Sequence, residues 1–254
     1  MRGKITTNPT NDSTAAPVNV LLLSMFNQVD VSLIGTLISS STNTYLYRCM
    51  LETLLSYGKG AKKSQLCAEL LYKDQAGNMD EVVIQVADGY LPNEGLQNRR
   101  ALISKSRDFD MIGHIHGDIF SQEKYLLIEV GMMIKPIRSN DNFNLMGAAD
   151  AKHVVAHALL FVCKVKLSLS VFLGHAKALQ SSTAKYPIKR VVCKSFQTPE
   201  YCLDASHEKL FSGQLPTRIV IGLVNNRSFN GSRDHNPFSF HHCNVSEITL
   251  GSGD

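Results

Sequence analysis

Tryptophan is absent from this chain of 254 residues, and aromatic residues together make up only 7% of it. With few Lys and Glu at helical spacing, that composition argues against a helical bundle. Charge of one sign is equally scarce. The 26 Lys and Arg against 22 Asp and Glu leave a formal +4, too mild a field to imply nucleic-acid binding without a concentrated patch. No apolar run approaches the ~20 residues of a membrane-spanning helix, and no secretory leader is recognisable, so a soluble, intracellular, non-secreted protein is expected. The six cysteines, Cys49, Cys67, Cys163, Cys193, Cys202 and Cys243, form no CxxC pair, which fits a reducing compartment. There is no G-x-S-x-G elbow for a nucleophile. The densest basic group, Lys59, Lys62 and Lys63 in GKGAKK, lacks the spacing and the Ser or Thr of a phosphate-binding loop, and reads as a solvated loop.

What is present is a chain with ample material for a core: 44% of residues are apolar and 19% charged. At this length, folding buries roughly 70 to 75% of the unfolded surface. Val29, Val31 and Leu33 alternate with Asp30 and Ser32, the period of two of a strand with one face buried. Gly35 ends that run. Asn43 or Thr44 then caps a predicted helix from Thr44 to Tyr57, in which Tyr47, Met50, Leu51, Leu54 and Leu55 fall on one stripe before Gly58 stops it.

Residues 1–16, rich in Pro, Asn, Ser and Thr, read as a flexible polar arm. Residues 17–146 and 152–254 read as two folded units, with the boundary between Asn144 and Lys152. Strands are predicted at His114 to Phe120 and Leu126 to Ile137, and at Val162 to Leu167, Lys189 to Phe196 and Arg218 to Val224. A short helix is predicted from Ser170 to about Gln180. The stretch Gly89 to Ser106, rich in Asn, Arg and Ser, reads as a long projecting loop. Many short strands with helices only as insertions, and no β-α-β alternation, predict a mainly β antiparallel sandwich or jelly roll.

Five collinear blocks carry a resemblance. They are SMFNQVDVSLIGTLISSSTNTYLYRCMLETLLSYG, ELLYKDQAGNMD, NEGLQNRRALISKSRDFDMIGHIHGDIFSQEKYLL, the AKALQSSTAKYPIKRV region and FSGQLPTRIVIGLVNNRSFNGSRDHNPFSF, spanning about Pro17 to Phe240. In order and spacing this chain resembles the major capsid protein of Polinton (Maverick) elements and adintoviruses. The resemblance implies a hexon-like double jelly roll of two antiparallel β-sandwiches side by side. It also implies a homotrimer forming pseudo-hexagonal capsomers of an icosahedral shell, in contact with a minor penton protein. Such a shell encloses double-stranded DNA without reading its sequence, and a virion location with assembly in the host nucleus follows. Relative to that family the chain lacks strands before Pro17, and HHCNVSEITLGSGD closes before the second sandwich is complete. A truncated double jelly roll is therefore expected, its unpaired edges prone to aggregation. The Thr44 to Tyr57 helix and the Gly89 to Ser106 loop are the expected contact elements.

Chemistry-bearing residues are few. His114, His116 and Asp118 in HIHGD could place two imidazoles and a carboxylate on one strand face, as a metal-dependent hydrolase requires. A hydrolase of that kind continues with a further His, and here Ile119 follows. The alternation instead predicts Ile115 and Ile119 inward and the polar trio outward. His153 and His157, at helical spacing, read as a half-exposed face. His235, His241, His242 and Cys243 offer one soft-ligand pair without a second. Four N-x-S triplets, at Asn11, Asn226, Asn230 and Asn244, read as polar turns. No catalytic residue, cofactor or metal is expected, and the protein is read as structural and not an enzyme. The alternatives are the His114–His116–Asp118 hydrolase and a monomeric β-sandwich binding module for glycan or protein.

Overall fold

In this computed structural model residues 1–251 are described, apart from 7–14, 83–91, 149, 203, 209 and 212. Among the described residues ten short strands run in order: β1 Arg2–Thr6, β2 Ala16–Pro17, β3 Phe26–Leu33, β4 Thr36–Leu37, β5 Asp108–Asp110, β6 Met132–Arg138, β7 Leu145–Met146, β8 Lys152–His157, β9 Leu223–Val224 and β10 Phe240–His241. The helices are α1 Leu21–Ser24, α2 Tyr45–Ser56, α3 Lys59–Lys62, α4 Glu94–Ile103, α5 Asp141–Asn144, α6 Leu169–Ser181 and α7 Asn226–Asn230.

The mainly β double jelly roll expected from the sequence is not what forms. Of the described residues 28% are helical and 17% in strands, and the described strands assemble only as β5-β1-β8, β4-β3-β6, β2-β7 and β10-β9, all antiparallel. No described sheet closes or stacks on another into a sandwich, which also removes the β-sandwich binding module. The physical reason is pairing. Residues 162–167 and 189–196 carry strand-like alternation but find no neighbouring strand, so they remain extended without a hydrogen-bonded ladder. Residues 114–117 are likewise unpaired, and Asp118–Ser121 turn into a 3-10 helix.

Three further expectations are corrected. Arg2–Thr6, assigned to a flexible arm, is the centre of a three-stranded sheet between Asp108–Asp110 and Lys152–His157, which also carries the chain across the expected boundary at 144–152. Gly89 to Ser106 is not a projecting loop. Its first residues lie outside the described ones, but Glu94–Ile103 is a helix capped by Asn93, whose side chain accepts the Leu96 N–H at 3.3 Å. Gly95 is required there, because a Cβ would sit 2.3 Å from the Lys73 carbonyl oxygen. Lys59–Lys62 forms one helical turn where a loop was expected. The β3–β4 hairpin does turn at Gly35, with Ile34 and Gly35 both at positive φ, the geometry of a two-residue type I′ turn.

The largest core lies under α2. The Tyr47 ring stacks on Phe229 at 5.4 Å and meets Phe143 and Phe238 edge-on, so residues 226–240 pack on a helix nearly two hundred positions earlier. Beside it runs a buried polar network. Arg99, wholly buried, donates to the Pro17 carbonyl at 2.9 Å, the Tyr72 carbonyl at 2.8 Å and Asp74 Oδ1 at 2.8 Å. The other Asp74 oxygen accepts from Asn19 at 2.9 Å and Asn236 at 3.1 Å. Burial pulls the Arg99 guanidinium below its ordinary pKa, with Asp74 opposing. Among the described residues no helix is long and apolar enough to cross a membrane.

Two predictions follow from these buried groups. Arg99→Met leaves the Asp74 charge buried without its partner and should cost about 3 to 5 kcal/mol in chemical denaturation. Arg99→Met with Asp74→Asn should cost clearly less than the two single losses added, because one network is removed twice. His153 is buried on β8 against Phe109, and neither ring nitrogen finds a hydrogen-bond partner. Burial, helped by the Arg138 charge and opposed by Asp141, lowers it from 6.5 to about 4. The unfolded chain then takes up a proton that the folded chain refuses, so stability should fall as pH drops from 6.5 towards 4, by up to about 3 kcal/mol. His153→Leu should flatten that slope in thermal melts; an unchanged slope would show that another group carries it.

Candidate functional site

The densest polar cluster outside the core joins α2 to the HIHGD segment. Arg48 and Glu52 stand one helical turn apart on the same face of α2, and Arg48 Nε donates to Glu52 Oε1 at 2.9 Å. Arg48 Nη2 meets Asp118 Oδ1 at 2.5 Å, and His116 Nδ1 meets Glu52 Oε2 at 2.6 Å. Asp118, Arg48, Glu52 and His116 thus form one unbroken chain of charge-assisted bonds. Burial works against the Arg48 charge, yet Glu52 and Asp118 outweigh it and hold the guanidinium above its ordinary pKa. Burial likewise pushes Glu52 up, and the bonds from His116 and Arg48 overcome it and hold the carboxyl below its usual range.

Beneath this chain lies a more apolar layer. Tyr45 Oη accepts the His116 backbone N–H at 3.1 Å, and burial drives the phenol pKa far above its normal value. Glu69 accepts the His114 backbone N–H at 3.1 Å with one oxygen, while its buried second oxygen has no partner. Burial raises the Glu69 pKa, the His114 bond opposing. The adjoining cavity, lined by Asn27, Gln28, Tyr45, Arg48, His116 and Asp118, measures ≈ 40 Å³. That holds about three waters and is far below the ~300 Å³ of a small-molecule site.

His114, His116 and Asp118 are not brought together around a common point. Asp118 is engaged by Arg48, His116 by Glu52, and His114 is exposed. Ile119 is buried with Val29 and Val31, and Ile115 packs against them, as the alternation predicted. Among the described residues no three His, Cys, Asp or Glu side chains could share a metal. The later histidines disperse as well: His235 lies 3.5 Å from Asp80, His241 lies 3.4 Å from Ser239, and His242 accepts the Asn244 N–H at 3.1 Å. His153 and His157 belong to a strand, not a helix, and His153 is in the core instead of on a half-exposed face.

The cluster does have a tenant from this chain. Asp118 Oδ1 accepts the Val191 N–H at 3.3 Å, Arg48 Nη1 donates to the Val191 carbonyl at 3.3 Å, and Thr44 Oγ1 donates to the Cys193 carbonyl at 3.0 Å. Thr44 stands at the N-cap of α2, as expected, but its hydroxyl makes no capping bond and is spent on this passing segment. Sequence reasoning missed Arg48 and Glu52, although their i, i+4 spacing was legible. Asp118's engagement with Arg48 and Val191 was not, because those partners lie 70 and 73 positions away.

Comparison with known proteins adds one relative. The chain is 25% identical over 251 residues to an uncharacterized protein of Caenorhabditis elegans, an alignment covering 96% of this chain and 56% of that protein. The chain therefore spans little more than half the length of the curated relative it matches. No protein-family model matches. No solved structure matches either.

Proposed function

We propose that this chain is a structural subunit of the capsid kind, whose work is the burial of surface between copies and which needs neither cofactor nor metal. One observation carries the reading. A compact chain of 28.0 kDa exposes about 11,000 Å², and this one exposes 17359 Å². Helix α6 has no buried residue, and Leu169, Phe172 and Leu173 on it stand in solvent together with Phe161, Val162 and Ile221 elsewhere in the same half. A monomer rarely leaves a whole helix and this many large apolar side chains uncovered, whereas assembly subunits cover them with one another.

The five sequence blocks that resemble Polinton and adintovirus capsid proteins point the same way. On that reading the subunit is a homotrimer that joins neighbouring capsomers and a penton protein around double-stranded DNA, in a virion assembled in the nucleus. The proposal does not rest on a double jelly roll, which the strand pairing excludes here. The hydrolase alternative is not favoured, because His116 and Asp118 are already engaged by Glu52 and Arg48.

Sedimentation velocity on the purified chain should give a discrete species of three times 28.0 kDa, and a clean, thermostable monomer would overturn the proposal. Leu54 and Leu55 on α2 are 38% and 60% exposed. Replacing both with Asp should dissolve that species while moving stability by no more than about 0.5 kcal/mol, as for surface positions generally. An undiminished oligomer would remove this face from the contact.

A further inference from the structure

We propose that residues 158–222 are an exchange arm, and that in the assembly its segment Tyr186–Cys193 docks between α2 and the His114–Ile119 segment of a second copy of this chain. The inference rests on the self-associating function proposed above and names the contact that carries it. Three observations support it.

First, the docking is of a kind that any copy can offer. The segment is held by its backbone: Leu127 N–H donates to Tyr186 Oη at 3.1 Å, but Lys124 reaches the Lys185 carbonyl, and Asp118, Arg48 and Thr44 take the peptide groups of Val191 and Cys193. Ile188 is the apolar anchor, packed on the cluster of Val29, Val31 and Ile119. Side chains of the body thus grip an extended peptide, as peptide-recognition grooves do.

Second, nothing else ties the arm down. Among the described residues from Ala156 to Leu223, all are exposed except Leu167, Tyr186, Ile188, Cys193 and Leu210. Among the described residues the docked segment is therefore flanked on both sides by chain that buries little, and the same bonds form whether the groove belongs to its own body or to a neighbour's. Exchange of an identical element needs no new contact.

Third, the arm and the body are complementary in charge and in unmet burial. Residues 158–222 hold 9 Lys and Arg against 3 Asp and Glu, which leaves 17 against 19 for the remainder. A basic arm meets a mildly acidic body. The surface in excess of a compact chain, about 6,000 Å², exceeds the 2,000 to 5,000 Å² buried in a typical obligate interface. An arm wrapped over a second copy adds its own buried surface to that of the facing bodies.

A heterologous disulfide trap tests the exchange. Both copies carry Cys163→Ser, Cys202→Ser and Cys243→Ser, which removes the exposed thiols; one copy adds Thr44→Cys with Cys193→Ser, the other keeps Thr44 and Cys193, and the two are co-expressed with different tags and oxidised. Thr44 lies against Cys193, so exchange should yield a covalent heterodimer on a non-reducing gel, and Ile188→Asp in the donor copy should lower its yield about tenfold or more, the loss expected of an interface anchor. The Thr44→Cys single variant is run beside it. A disulfide confined to one chain, or none in any combination, would overturn the exchange. Sedimentation of the same samples separates the two ideas: an oligomer without the cross-link sinks the exchange alone, and a monomer without it sinks the structural assignment too.

Discussion

The guanidinium of Arg99 carries the fold. Its side chain is wholly buried, and it ties the segment at Pro17 to the segment at Tyr72 and Asp74 through the Pro17 carbonyl, the Tyr72 carbonyl and the Asp74 carboxylate. Through Asp74 the connection runs to Asn19 and Asn236, and Asn236 in turn takes Asp80 through its backbone N–H at 2.6 Å. Removing charges from water is expensive, and only a fully satisfied arrangement offsets it. That cost makes the network selective. A chain path that left one of these groups unpaired would leave a buried charge or amide without a partner.

Asn236 draws the late segment back to the body, and the packing of Phe229, Phe238 and Phe143 around Tyr47 follows from that return. Between β8 and β9 nothing comparable exists. The intervening residues carry apolar side chains in strand and helix patterns, yet among the described ones the side-chain hydrogen bonds to the body fall between Lys185 and Cys193. The molecule is in effect a well-cored body and a poorly covered arm. This division gives the Arg48–Asp118 cluster its character: a grip for a peptide backbone next to a water-sized cavity.

How legible was this in the residues? The α2 and α6 helices were, within a residue or two at each end, because apolar spacing of three and four is a local property of the chain. The inward face of Val29, Val31, Ile115 and Ile119 was legible for the same reason. Arg99 was not. It sits in an Asn- and Arg-rich stretch whose composition suggests a solvated loop, and the carbonyls and carboxylate that justify burying it are 25 to 82 positions away. His153 was misjudged in a similar way: a spacing of four to His157 fits a helix, and only pairing with β1 made it a strand residue facing the core.

Taken alone, the amino-acid sequence determined where α2 and α6 form, which side chains are apolar enough to demand cover, and that the chain carries no long lipophilic span. The tertiary structure decided which strand-like runs become strands, since a ladder requires a partner at the right register and residues 162–167 and 189–196 have none. It also decided which polar groups are interior. Local patterns report a residue's own preference, whereas pairing and burial depend on groups distant in the chain, and their energies exist only once the chain has brought those groups together.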